Sequence, residues 1–410
     1  MKVVVVGAGP AGATLALLLA RHGVQVRLAE REASSAAVFR GEGLMPLGVD
    51  ALQEMGLARM LAELPGRPID AWRILIDGED VLTVPEPVAE LGERGFRVVS
   101  PAALLQGVVD EARSHRTFSY HPETRFTDVV RDTAGRVSGV RVVHGGAETT
   151  WPADLVIGCD GRGSSVRTRS GLTLTQEREA YDVLWFKLPA PEPLRARCDF
   201  HIMVRRGRHP LIAYTSWDDL LQCGLIMPKG GMAEFRGDDW LSAALASAPE
   251  WLAKHVMRHH TDVVGPIRLN VMVGHAPSWS APGVLLLGDA AHPMSPVRAQ
   301  GINLALRDVV VAANHLLALA SEPTTGSVDR ACRAIQAERE PEVSRAQRLQ
   351  RREARGQGDA RAASWRYALA KRGARLLGRY DWARRAWLQR QHDLRFGSAT
   401  VRLRPPSPRP

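Results

Sequence analysis

Three stretches of the chain combine residue types and spacings suited to binding phosphates and polyols. The first is Gly7-x-Gly9-x-x-Gly12, set between an apolar β-branched run (Lys2 to Val6) and an Ala- and Leu-rich run (Ala13 to His22). Glycines at this spacing permit a tight turn, close approach of backbone to a pyrophosphate, and close packing of helix on strand. The helix N-terminus adds amide donors and a favourable dipole. Glu30 follows at the end of a second short strand pattern, Val24 to Ala29, where a carboxylate can accept a ribose hydroxyl. By itself this motif leaves FAD, NAD and a ligand-free turn open, with the N-terminal placement slightly favouring FAD.

The second stretch runs from a buried-strand pattern, Gly283 to Leu287, through Gly288-Asp289 into a loop that opens a helix. Asp289 is placed to bind a polyol hydroxyl. The helix start around Gln300, Gly301, Ile302 and Asn303 offers amides to an electron-rich ring carbonyl. The third is a strand pattern, Asp154 to Cys159, that ends in Asp160-Gly161 with Arg162 and Arg167 nearby. Asp and Gly also favour plain strand-exit turns, so neither stretch is decisive alone.

These residues need a parallel sheet to hold them. Lys2 to Ala29 reads as a complete βαβ unit, and Asp154 to Cys159 and Val284 to Leu287 as further buried strands. Between about Tyr181 and Val273 the pattern changes to antiparallel strands, with a helix near Trp240 to His259. Ile302 to Ala320 is a long helix, and from Val328 the chain is Arg-rich with helical periodicity.

With 410 residues, 45% hydrophobic and 24% charged, the chain is neither disordered, collagen-like nor a disulfide scaffold. Fifty-four Lys and Arg against 44 Asp and Glu give a charge of +10, open to anionic ligands or surfaces. The Arg-rich end lacks interleaved stacking aromatics and a helix-turn-helix signal, which argues against nucleic acid. Cys159, Cys198, Cys223 and Cys332 have no metal-ligand spacing and read as reduced thiols, so no metal and a cytoplasmic location are expected. The apolar stretch Val3 to Leu19 is interrupted by Gly7, Gly9, Pro10 and Gly12, which excludes a membrane segment there.

Taken together, the three stretches resemble the FAD-dependent monooxygenases of the aromatic-hydroxylase type, the relatives of p-hydroxybenzoate hydroxylase. Gly288-Asp289-Ala-Ala-His292 with its Pro296…Gly301-Ile302-Asn303 continuation is the most specific part. The resemblance implies an α/β fold: a Rossmann-like FAD-binding domain (1–75, 98–180 and 274–320) with an inserted antiparallel β-sheet substrate domain (76–97 and 181–273). C-terminal helices (321–395) and a mobile tail (396–410) follow. It implies non-covalent FAD held by Gly7, Gly9, Pro10, Ala11, Gly12, Glu30, Arg31, Arg40, Val129, Asp160, Gly288, Asp289, Pro296, Gln300, Gly301, Ile302 and Asn303. Within that set Glu30 would hold the adenosine ribose, Asp289 the ribityl chain, and Arg40 the flavin.

The activity implied is hydroxylation or epoxidation of an aromatic or polycyclic small molecule, using O2 and a transiently docked NAD(P)H, through a flavin C4a-hydroperoxide. Arg162 and Arg167 are candidates for the nicotinamide nucleotide's phosphates, with salt bridges to neighbouring acids equally open. The Pro296 carbonyl would steady the hydroperoxide. Arg298, where relatives usually have glycine, would be a functional charge in the ring-side loop, with a solvent-facing arginine as the alternative. Trp185, Met203, Tyr214 and Gln222, with Trp217, would line the substrate pocket. His201, Tyr214 and His292 are candidate bases. A homodimer is compatible with the sequence. A flavin halogenase or reductase on the same scaffold, or a non-catalytic flavin-binding protein, are the rival readings, although the Trp-x-Trp-x-Ile-Pro signature of tryptophan-type halogenases is absent.

Overall fold

The structure, a computed structural model, describes residues 1–33, 41–177, 181–235, 239–319, 323–358 and 364–404. Lys2–Val6 is the heart of a six-stranded sheet ordered Ser280–Ala281, Val284–Leu286, Leu155–Gly158, Lys2–Val6, Gln25–Ala29 and Phe118–His121. All pairs are parallel except the edge pair Ser280–Ala281 with Val284–Leu286. The uninterrupted valines of the first strand follow from burial on both faces. Val3 and Val5 pack with the helices Pro10–Arg21, Pro101–Arg113 and Gln300–Leu317. Val4 and Val6 pack with the antiparallel strands Thr124–Arg131, Val137–His144 and Ala147–Pro152.

A second, seven-stranded sheet runs Val264–Leu269, Tyr181–Pro189, Leu220–Pro228, Leu211–Thr215, Asp199–Val204, Ala71–Ile76 and Glu79–Pro85. Its one parallel pairing, Asp199–Val204 on Ala71–Ile76, ties the early hairpin into the later strands. The expected domain boundary after residue 75 therefore fails: Ala71–Ile76 belongs whole to this sheet, because its register is set by a strand far along the chain. One face of the sheet packs against the helices Trp240–Ala244 and Glu250–Arg258. The other faces the first domain.

The Arg-rich end is helical over Thr325–Gly358, Ser364–Leu377, Asp381–Arg390 and His392–Phe396. Helix Ser364–Leu377 is pinned to the hairpin by Tyr367 and Lys371 on Asp77 (2.9 and 3.2 Å) and by Arg375 on Glu79 (2.5 Å). Between helices Gln300–Leu317 and Thr325–Gly358 lies a buried charge network. Asp308 accepts from His292 at 2.7 Å, Arg339 at 2.8 Å and the Gly288 amide at 3.2 Å. Glu342 takes Arg307 at 2.8 and 3.0 Å and also Arg339. Burial pushes the carboxyls of Asp308 and Glu342 up, but their hydrogen-bonded partners (His292 and Arg339 for Asp308, Arg339 and Arg307 for Glu342) prevail and hold both below the ordinary range.

The stretch after Phe396 is not loose through residue 404. Arg307 donates to the Ala399 carbonyl at 2.6 Å, Glu342 accepts the Ser398 amide at 3.0 Å, and Leu403 N–H reaches Glu54 at 3.1 Å. The expected mobile tail is thus corrected up to Arg404; residues 405–410 lie outside the described part. Among the described residues no helix is long and apolar enough to cross a membrane.

Candidate active site

The glycine turn is built as the spacing requires. Gly7 has φ +98°, and a Cβ there would meet the Cys159 carbonyl oxygen at 2.5 Å; one on Gly12 would meet the Gly7 carbonyl oxygen at 1.9 Å. At Gly9 the space is open, with nothing within 4 Å of a Cβ. The first helical bond closes from Ala13 N–H to the Gly9 carbonyl at 2.9 Å, leaving the Ala11 and Gly12 amides without intrahelical acceptors. Glu30 accepts the Ala8 and Glu32 amides at 2.7 and 3.0 Å, so its carboxylate stands over the turn. Arg31 is exposed and pairs with Glu32.

A cavity of about 560 Å³ starts at Gly9, Pro10 and Ala11, passes Gly288, Asp289, Pro296, Gly301 and Ile302, and ends against the seven-stranded sheet. There the wall is Trp72, Phe96, Val183, Trp185, Phe200, Ile202, Ile212 and Tyr214. Asp289 pairs with Arg162 at 3.1 Å across the cavity lining. Burial pushes the Tyr214 hydroxyl well above its usual range, and the neighbouring Glu42 adds to this. Burial likewise pushes up all four thiols, Cys198 and Cys332 to about 12.

Arg298 lines the cavity in a left-handed backbone conformation, φ +59°. Its guanidinium lies over the rings of Trp72 and Trp387, 4.3 and 4.8 Å from their centroids, and its Nε bonds Glu353 at 2.8 Å. The solvent-facing alternative does not hold: the side chain is only 10% exposed.

Several expected contacts are turned elsewhere. Asn303 is spent as a bolt, accepting the Met45 amide at 3.0 Å and donating to the carbonyls of Gly43 and Ala299 at 3.1 and 2.6 Å. A Cβ on Gly48 would strike its Oδ1 at 1.9 Å, so glycine there admits it. The Gln300 amide donates to the Arg298 and Leu394 carbonyls at 2.8 and 2.7 Å, away from the cavity. Asp160 caps the helix Ser165–Arg169, accepting from Ser164 Oγ and the amides of Ser165 and Val166. It shapes the turn that presents Gly161 and Arg162. Val129 is core, among Val140, Val142 and Trp151. Arg40 lies outside the described residues.

On the substrate side, Trp185 and Tyr214 line the cavity, but Met203 points to the opposite face with Leu75, Leu211 and Leu252. Phe200 and Ile202 take its place, because adjacent strand residues face opposite ways. Gln222 is buried and donates to the carbonyls of Phe186 and Cys223 at 3.2 and 3.4 Å, away from the cavity lining. Trp217 covers Lys187 instead of lining the cavity. His201 shares the far face with Met203, and His292, 1% exposed, is held by Asp308 against Trp279, so neither can serve as a base there. Arg167 is also internal, donating to the Ala290 and Arg162 carbonyls at 2.7 and 2.8 Å, which removes it from phosphate docking. Sequence reasoning missed Glu42, Lys187, Phe96 and Trp72. The one available signal was a lone carboxylate in the small and apolar run Gly41 to Pro46.

Residues 1–345 match the family described as FAD binding domain. The chain belongs to this family. It is 34% identical over 413 residues to 6-methylpretetramide 4-monooxygenase of Streptomyces rimosus, covering 98% of this chain and 94% of that one. It is 30% identical over 360 residues to 3-amino-4-hydroxybenzoate 2-monooxygenase of Streptomyces cremeus, covering 86% of each. Its fold is that of p-nitrophenol 4-monooxygenase PnpA from Pseudomonas putida DLL-E4 (TM-score 0.75, 18% identity, 97% and 99% covered). PqsL of P. aeruginosa, solved with 2-aminobenzoylacetate, shares it too (0.74, 22%, 88% and 97%). The protein is an FAD-dependent monooxygenase with NAD(P)H as its hydride donor.

Proposed function

We propose that this enzyme hydroxylates a planar, polycyclic aromatic small molecule. The observation that carries the reading is continuity: one cavity joins the glycine turn and Asp289 to an aromatic wall on the second sheet. The residues present fit FAD, since the turn is open at Gly9 and the free amides of Ala11 and Gly12 point from a helix N-terminus. Those amides would hold the pyrophosphate, Glu30 the adenosine ribose, and Asp289 the ribityl chain in place of Arg162. Gly301 and Ile302, at the start of helix Gln300–Leu317, would offer amides to the ring, with Pro296 and Arg298 beside it. Bound FAD supplies hydride acceptance and oxygen activation.

The chain's own part is orientation and dryness. Trp185, Phe200, Ile202, Ile212 and Tyr214 would clasp the substrate ring and exclude water. The size and aromatic wall of the cavity, and the 6-methylpretetramide substrate of one relative, support a fused-ring phenol. The four thiols, all unpaired and three of them buried, suit a reducing cytoplasm. A homodimer would draw on the exposed Leu376, Leu377 and Trp382, and light scattering tests it.

The test of the main reading is NAD(P)H-driven oxygen uptake across a panel of pretetramide-type and simpler phenols. The expected result is uptake stimulated by a fused-ring phenol with a product heavier by one oxygen atom. NAD(P)H oxidation that no panel member converts into oxygenated product would overturn it.

A further inference from the structure

The second-sheet wall of the cavity is mostly apolar, and at one corner a carboxylate is buried. Glu42 is 8% exposed and lines the cavity. Its Oε1 takes Lys187 Nζ at 2.8 Å, while Oε2 accepts Ser216 Oγ at 2.7 Å and faces the Tyr214 hydroxyl at 3.5 Å. Lys187 also reaches Ser216 Oγ at 2.9 Å and Asp218 at 3.0 Å, and Asp218 is 23% exposed. Lys187, Gln222 and Tyr214 are cross-strand neighbours, so one sheet register assembles this corner around a residue from the loop before Pro46.

Burying such an ion pair costs desolvation that apolar side chains of similar volume would avoid. On an aromatic wall its use is therefore chemical. We propose that Glu42 is the substrate-binding carboxylate: it accepts the hydrogen bond of a ring hydroxyl and takes its proton as the ring is oxygenated. The inference rests on the aromatic-hydroxylation reading above. In the step, the substrate O–H bond breaks and its electron pair moves into the ring. The ring carbon forms its new C–O bond to one atom of O2; the O–O bond breaks, its electron pair stays on the other atom, which leaves as water at the expense of the two electrons of NAD(P)H, and the hydroxyl proton forms an O–H bond to Glu42.

Lys187 Nζ, 2.8 Å from Oε1, fixes the carboxylate in place within the apolar wall. Ser216 and Lys187 then link the proton to Asp218 and solvent. Tyr214 cannot be the base, since burial and Glu42 keep its hydroxyl protonated; it is a donor that holds Oε2 until substrate arrives.

The test uses the flavin-loaded enzyme and two probes, 2-naphthol and 2-methoxynaphthalene, which differ by one hydrogen-bond donor. A hydrogen bond to a charged acceptor predicts about tenfold or greater preference for the naphthol. Glu42→Gln, whose amide oxygen accepts only a neutral hydrogen bond, should cut that preference about fivefold while leaving the affinity for the ether unchanged. With whichever phenol is turned over, it should lower kcat more than it raises KM. Equal affinity of the wild-type enzyme for both probes, no binding of either, or an undiminished preference in Glu42→Gln overturns the proposal. The wild-type comparison stands even if the variant fails to load flavin. Failure of the hydroxylation reading is separate: it shows as absent oxygen insertion with every phenol, whatever the probe preference.

Discussion

Arg298→Gly sets two effects of opposite sign against each other. The arginine occupies φ +59°, a region costing a non-glycine residue about 1 kcal/mol, and glycine would relieve that cost. Against this stand two guanidinium–indole contacts shielded from solvent, about 1–2 kcal/mol each. The partly buried pair with Glu353 adds about 1 kcal/mol, and the extra unfolded-state freedom of glycine costs roughly 0.5 kcal/mol more. The contacts prevail, and the variant should lose about 3 kcal/mol; at roughly 1 °C per kcal/mol for a chain this long, the melting temperature falls about 3 °C. Arg298→Lys should recover only part of the loss, because an ammonium keeps the charge but not the planar stacking. Differential scanning calorimetry at matched FAD saturation measures both. A glycine variant as stable as the parent, or more so, would refute the reasoning and show that backbone strain outweighs the stack.

Asp289→Ala should weaken FAD binding about ten- to a hundredfold, the worth of a hydrogen bond to a charged group, as read by flavin fluorescence titration; unchanged affinity would make Asp289 only a partner of Arg162. FAD should leave the protein on acid precipitation, since His292, the nearby candidate for a covalent link, is buried on Asp308; flavin retained in the pellet would contradict this. Asp308 and Glu342 are held below the ordinary carboxylate range when folded, so their contribution is full at neutral pH and is lost as pH falls from about 4 through the folded values. Melting temperature against pH should drop steeply in that acid window, and Asp308→Asn should flatten the drop while lowering stability at pH 7.

The first domain was readable because its signal is local: strand, glycine turn, helix and second strand all lie within Lys2 to Glu30. Turn positions such as Gly9 therefore stood out in the sequence, and in the structure Gly9 lies on the cavity. The substrate sheet was harder. In Phe200-His201-Ile202-Met203 apolar residues occupy both faces, so alternation could not choose, and Met203 was expected where Phe200 and Ile202 stand. The roles of Asn303 and Gln300 depend on carbonyls contributed by Gly43 and Leu394, partners that no local pattern announces. Arg298 signalled itself only by replacing a glycine; the two tryptophans that hold it lie far away on either side in sequence.

The contacts of residues 387–403 have a consequence for how the enzyme is made. Gln300 is anchored by the Leu394 carbonyl, Arg307 by Ala399, and Glu54 by the Leu403 amide. During synthesis the parallel sheet and the substrate sheet are both complete well before those residues leave the ribosome. Until then the ring-side loop lacks its Trp387 stack, and Arg307 and Glu342 lack their closing bonds from the tail. The enzyme should thus become competent to retain flavin only once residues up to Leu403 have emerged, and a premature stop before Trp387 should leave a nascent chain that folds its sheets but cannot close its site.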